Sequence, residues 1–156
     1  CNKLYGSKFY ICDIPNIEFS NLAKIAKQMK EQYEIKILFI DYLTLIYIND
    51  RSIPRHEQIA ELSRQMKTLA RKLEIPVIVN SQLRREVEGR YPTLADLRES
   101  GSIEQDADVV LLLHRERDKQ GELTEKTKLF IAKNRNGSLG SINMKFNSPY
   151  TKFVEE

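Results

Sequence analysis

Cysteine is scarce in this sequence: Cys1 and Cys12 are the only two, and their separation fits no metal-ligand spacing. A reduced, cytoplasmic setting is the simplest expectation. No apolar run approaches the roughly 20 residues needed to cross a membrane, and no signal peptide opens the chain, so no membrane partner is expected. An initiating Met is also missing, and the chain is expected to begin inside a longer protein. Gly-x-x-x-x-Gly-Lys-Ser/Thr occurs nowhere, which excludes a phosphate-cradling loop of that type within these residues. Acidic residues are absent from Lys126 to Lys145, where five Lys and Arg fall; against a net charge of +3, the remainder is formally −2. Positive charge gathered near the C-terminus suits the phosphates of nucleic acid or nucleotide, although solvated surface lysines give the same run.

At 156 residues the chain is long enough for one domain with a real core. Its organising stretch is Ile37-Leu38-Phe39-Ile40-Asp41-Tyr42. The apolar run, rich in β-branched and aromatic types, reads as a strand buried on both faces. It ends abruptly on a carboxylate. Ligands of open parallel sheets sit beyond the carboxyl ends of the strands, so an acid there is well placed to hold a metal-bound water beside a phosphate. Val77 to Val79 running into Asn80-Ser81-Gln82, and Val109 to Leu113 running into His114-Arg115, repeat the design. Three such strands point to one shared active edge.

The rest of the chain supports this arrangement. Lys8 to Cys12 has the look of a strand, broken by Asp13-Ile14-Pro15-Asn16. Leu22, Ile25, Ala26 and Met29 recur at helical spacing and predict a helix over roughly Glu18 to Gln32. A connection from Tyr42 to Pro54 leads to a second helix, from about Pro54 to Lys72. Its apolar stripe is Ile59, Leu62, Met66, Leu69, Ala70 and Leu73, with Met66 in the core rather than a binding groove. Strand, helix, strand in this style calls for a right-handed crossover in a parallel sheet, and the fold class is α/β. Leu83 to Asp106 is charged and aperiodic, a long connection of the kind that is either functional or disordered. Glu116 to Glu125 reads as a mobile turn. Lys128 to Ala132 and Ser141 to Phe146 predict a C-terminal β-hairpin around Asn136-Gly137, and Thr151 to Val154 a last edge strand.

Four stretches then carry a resemblance. Ile40-Asp41-Tyr42-Leu43, Ser81-Gln82-Leu83, the run Asp96-Leu97-Arg98-Glu99-Ser100-Gly101-Ser102-Ile103-Glu104-Gln105-Asp106-Ala107-Asp108, and Lys133-Asn134-Arg135-Asn136-Gly137 occur in the order seen in DnaB-type replicative helicases. From about Phe9 to Phe153 the sequence resembles the C-terminal RecA-like ATPase domain of that family. The Arg-Glu-Ser-Gly-Ser-Ile-Glu-Gln-Asp-Ala-Asp run is the most specific part. The resemblance implies a mostly parallel RecA-like sheet flanked by helices, with residues 1–156 forming a partial domain from the Walker B strand onward.

It also implies roles. Asp41 matches the Walker B aspartate, which orders Mg²⁺ and its waters beside the phosphates of ATP, and Gln82 the polar sensor of an intact γ-phosphate. Lys133 and Arg135 match the basic pair that reaches a neighbouring subunit's nucleotide, with Arg135 as an arginine finger. Asp41, Gln82 and Arg135 are thus the expected catalytic residues. Arg98, Glu99, Ser100 and Gly101 match a channel loop that follows single-stranded DNA by its phosphates. Arg84 and Arg85 belong to a second loop near the channel, although relatives often carry Asn where Arg84 stands. Implied partners are single-stranded DNA, five further copies in a homo-hexamer, a primase and a helicase loader. The parent would be an ATP-dependent, 5′-to-3′ DNA helicase; the isolated chain, without a Walker A loop, is expected to be inactive. A RadA-like recombination ATPase and a non-catalytic nucleic-acid-binding or ring-interface module are the competing readings.

Overall fold

The computed structural model describes residues 6–50, 52–84, 87, 90–97 and 101–155. The chain divides into two compact units, Cys1–Ser81 and Gln82–Glu156.

Both expected helices stand in the first unit: α1 (Phe19–Tyr33) and α2 (Arg55–Leu73). Their apolar stripes explain them. α2 buries Ile59, Leu62, Met66, Leu69 and Leu73, steps of three and four residues that return to one face of a helix. Met66 is core, as its spacing predicts. Ala26 of α1 packs with Leu69, Leu73 and Ile75, bordered by Phe19, Leu22 and Leu38. Each helix ends on a left-handed residue, Glu34 and Glu74, both with φ 53°, whose N–H closes the last turn onto Lys30 O and Ala70 O.

β2 (Leu38–Ile40) and β4 (Val77–Val79) pair in parallel, with Leu38 opposite Val77 and Ile40 opposite Val79. The chain between them carries α2, so this is a β-α-β crossover. A second small parallel pair joins β1 (Ile17–Glu18) to β3 (Ile46–Tyr47). Two expectations are corrected here. Lys8 to Cys12 forms no strand: those residues are exposed and have no ladder partner among the described residues. Nor is β2 buried on both faces. Phe39 is 63% exposed and Ile78, directly opposite it, 44% exposed. The helices of this unit cover the Leu38 and Ile40 side; a parallel strand pair needs a second layer to bury the other side.

The second unit is an antiparallel meander: β5 (Val109–Arg117), β6 (Leu123–Asn134), β7 (Gly140–Asn147) and β8 (Lys152–Glu155), each beside its neighbour in sequence. The expected hairpin is its β6–β7 part, and the expected edge strand is β8. β5 therefore lies in an antiparallel sheet rather than continuing the parallel edge of β2 and β4, which corrects the reading of three like strands along one edge. The turn between β5 and β6 is tied by Asp118. Its carboxylate accepts from the amides of Gln120 and Glu122, both at 2.9 Å, and Gly121 takes the left-handed φ of 87°. Leu97, Val110 and Leu112 form the buried centre, with Leu83, Leu94, Ile103 and Phe130 around it. Short α3 (Gly101–Asp106), which the sequence pattern did not announce, precedes β5.

Candidate active site and nucleic-acid segment

Asp41 is the first residue past β2 and is exposed. The neighbouring strand end fixes it. Asn80 donates its main-chain N–H to Ile40 O and accepts from Leu43 N–H at Asn80 O, both at 2.9 Å, so its backbone bridges the two sides of Asp41. The Asn80 side-chain amide then donates to Asp41 Oδ1 at 3.1 Å. The Asp41–Tyr42 peptide is cis. Oδ2 of Asp41 has no hydrogen-bond partner among the described residues and the residue is exposed, which leaves one carboxylate oxygen for a ligand. Among the described residues, no three His, Cys, Asp or Glu side chains come together to hold a metal. A lone carboxylate fits Mg²⁺ carried in by phosphates, since that ion keeps several waters and takes one or two carboxylates. Asn80 was noted in the sequence only as part of a polar strand end; its pairing with Asp41 emerges from the register of β2 and β4.

Gln82 is exposed and has no hydrogen-bond partner among the described residues. Arg84 is exposed too, and its main-chain N–H donates to Asp96 O at 2.9 Å beside a single bridge between Leu83 and Leu97. Arg85, Arg98, Glu99 and Ser100 lie outside the described residues. Gly101 opens α3, and a side chain there would meet nothing within 4 Å among the described residues.

The segment from Arg90 to Leu97 is fastened by residues outside the motif roles assigned above. Asp96 is buried and accepts from Arg90 Nη1 at 2.8 Å, Arg90 Nη2 at 2.5 Å, Thr93 N–H at 2.7 Å and Thr93 Oγ1 at 2.8 Å. Thr93 and Asp96 form a capping box, and the Thr-x-x-Asp spacing was a signal that could have revealed it. The Arg90 guanidinium, and after it the Thr93 amide, hold the Asp96 carboxyl well below the usual carboxylate range. Tyr91 rests edge-on against His114 and Phe130, with both ring centroids 5.2 Å away, and so lays the segment on the sheet. A carboxyl whose pKa is depressed by folding stabilises the fold above its unfolded pKa of about 3.9, and that contribution fades as pH falls further toward the folded value. Asp96→Asn is therefore expected to lower stability at neutral pH and to flatten the acid limb below about pH 4. Denaturant unfolding of both proteins across that range measures it, and parallel acid limbs would show that Asp96 is not the coupled group.

Lys133 and Arg135 are brought together, but not as a free pair. Lys133, near the end of β6 and partly buried, donates its Nζ to Glu104 O and Gln105 O. Arg135, just past β6, donates Nη2 to Gln105 O at 2.7 Å, and its Nη1 lies 3.7 Å from Asp108 Oδ1. Both charges sit on the C-terminal end of α3. The cations find carbonyls that a helix end leaves unpaired.

A family model for the DnaB-like helicase C terminal domain matches residues 1–155. The chain belongs to this family. The replicative DNA helicase DnaB of Treponema pallidum is 43% identical over 152 residues, which cover 97% of this chain and 34% of that protein. The replicative DNA helicase DnaC of Bacillus subtilis is 42% identical over 157 residues, covering 97% and 35%. Among solved structures, a DnaB-like replicative helicase described with its interactions with primase superposes with a TM-score of 0.88 at 35% identity, covering 98% of this chain and 38% of that one. A second solved structure, of an ATPase domain, gives 0.79 at 36% identity, covering 89% and 51%. The chain thus spans about a third of the length of these DnaB relatives. Of the two RecA-like readings, the match favours the DnaB-like one over a RadA-like ATPase.

Proposed function

We propose that the full polypeptide carrying this chain is an ATP-dependent replicative DNA helicase, and that this chain supplies the part of its motor domain from the metal-holding aspartate onward. Membership of the DnaB-like family supports the class. The observation that carries the chemistry is the exposed Asp41 at the end of β2, steadied by Asn80 with one oxygen left over. In this reading Asp41 holds the waters of a nucleotide-borne Mg²⁺. When bound, that ion neutralises charge on the transferring phosphoryl oxygens. Gln82, exposed after the neighbouring strand, has amide donors available to an intact γ-phosphate or to the attacking water. Arg135 reaches the nucleotide of the next subunit in a homo-hexamer, with Lys133 as its companion.

Arg98 to Gly101, with Arg84 and Arg85, face single-stranded DNA in this proposal, contacting phosphates without reading bases. A primase and a helicase loader complete the set of partners, and the cytoplasm is the compartment. No described helix is long and apolar enough to cross a membrane.

Binding to single strands tests the DNA assignment. Arg98→Ala in the full polypeptide is expected to weaken binding alike for all sequences and to reduce the slope of log affinity against log salt by about 0.7 for a lost phosphate contact. A loss confined to particular sequences would indicate base readout instead and remove the channel-loop role.

A further inference from the structure

Asp41 and Asn80 leave their strands side by side. Ile40 lies opposite Val79 in the parallel ladder, so the next residue of each strand takes the next position in the same register. Residues opposite each other in a ladder carry their side chains on the same side of the sheet. The main chain of Asn80 is also held twice across the end of β2, through its N–H to Ile40 O and through Leu43 N–H to Asn80 O. Leu43 is buried, so this clamp is fixed to the core. The Asn80 side chain therefore starts from a set point when its amide reaches Asp41 Oδ1, a residue 39 positions earlier in the chain.

The chemistry of the pair is selective. An ionised carboxylate only accepts hydrogen bonds, so the amide must present its NH₂ rather than its oxygen to Asp41. A neutral donor orients the carboxylate without cancelling its charge. A Lys or Arg in that place would orient it as well, but as an ion pair that competes with a metal cation for the same charge. With Oδ1 engaged, Oδ2 is the oxygen left to an incoming cation or its water. Capture by one oxygen suits Mg²⁺, which is small, octahedral and slow to give up its waters. Ca²⁺ is larger, gathers more oxygens and readily takes both oxygens of one carboxylate. Turning both oxygens of Asp41 to one ion would draw Oδ1 off the amide.

We propose that Asn80 is a positioning residue that decides which divalent cation the site prefers: by holding Oδ1 it confines Asp41 to capture through Oδ2, and so favours Mg²⁺ over Ca²⁺. This rests on the assignment of Asp41 to a nucleotide-borne Mg²⁺ and adds to it the choice of ion. Asn80 acts through Asp41 and touches neither nucleotide nor metal. Without the amide the carboxylate turns freely about its Cβ–Cγ bond, both oxygens become available to one ion, and the smaller ion loses its advantage.

Binding of a fluorescent, non-hydrolysable ATP analogue to the full polypeptide, titrated with MgCl₂ or with CaCl₂, tests this apart from turnover. Asn80→Leu is similar in size and has no donor. Its half-saturating Mg²⁺ concentration is expected to rise about tenfold, the low end of what a lost outer-shell partner costs, since both side chains are exposed. The half-saturating Ca²⁺ concentration is expected to change little, so the preference for Mg²⁺ over Ca²⁺ narrows. A general disturbance of the strand end would weaken both ions alike. A preference that stays the same or widens, whether or not affinity falls, overturns the proposal. Asn80→Ala repeats the comparison with no added bulk, and its preference decides the matter if thermal unfolding shows that the leucine variant does not fold. Asp41→Ala separates the two levels. If that variant keeps the Mg²⁺ dependence of the parent, Asp41 does not hold the ion and both readings fall. If Asp41→Ala shifts the dependence while the Asn80 variants keep the parent's preference, Asp41 keeps its role and the one given to Asn80 falls.

Discussion

Replacing Asp41 by alanine in the full polypeptide is expected to abolish ATP turnover, by roughly 10³-fold or more, and to leave the fold standing. Metal-borne stabilisation of phosphoryl transfer amounts to several kcal/mol, and each 1.36 kcal/mol is about tenfold in rate. The structural cost is small, because the carboxylate is exposed and loses a single bond from an exposed amide. Surface changes of this kind usually stay within about 0.5 kcal/mol. The backbone bridge from Asn80 to Ile40 and Leu43 does not involve the side chain and persists in the variant. ATP hydrolysis and thermal unfolding, measured together, give the answer. Near-normal hydrolysis by a folded Asp41→Ala protein would remove Asp41 from the reaction.

The second large effect concerns Arg135 and needs two kinds of subunit. A residue that completes a neighbour's site cannot act within its own polypeptide. Subunits bearing Arg135→Ala, mixed with subunits whose phosphate-gripping loop is inactivated, are expected to hydrolyse ATP faster than either kind alone. In mixed rings an intact loop meets an intact guanidinium at some interfaces, and a finger supplied in trans is worth about 10³-fold or more. Even sparse repaired interfaces then rise above background. Hydrolysis is the quantity to follow, since coupling around a ring can suppress unwinding when single interfaces recover. The geometry makes the outward reach feasible: Arg135 is about half exposed, and its contacts to Gln105 and Asp108 leave N–H groups unused. Exchanged rings no more active than their parents would place Arg135 among residues that only brace α3.

Much of this was legible in the residues, for identifiable reasons. α1 and α2 were, because stripes such as Ile59, Leu62, Met66, Leu69 and Leu73 have no other periodic explanation. The place of Asp41 was legible as well, because an apolar run that stops on a carboxylate marks a strand end. Lys8 to Cys12 misled, since a short apolar run carries no information about whether a partner strand lies beside it. β5 and β6 run on through His114 to Arg117 and Leu123 to Lys126, where mixed polar residues look like a turn until Asp118 is seen to hold the true one. α3 was hidden for a different reason. Gly-Ser-Ile-Glu-Gln-Asp has no helical pattern, and the groups that steady it come from the far side of two strands. Asn80, Arg90 and Asp96 were missed because their value lies in whom they meet, which local pattern does not record.

The meander of β5 to β8 bears on the order in which the chain acquires its structure. Every ladder in it joins neighbours in sequence, and the closure between β5 and β6 is the short Asp118–Glu122 turn. Such pairings cost little loop-closure entropy and can form from local encounters. The parallel pair of β2 and β4 has no such route: its strands meet only after the chain carrying all of α2 has been folded back. In a pulse-labelling experiment the amides of β5 to β7 would therefore be protected before those of β2 and β4, so the part of the chain made last is the part that folds first.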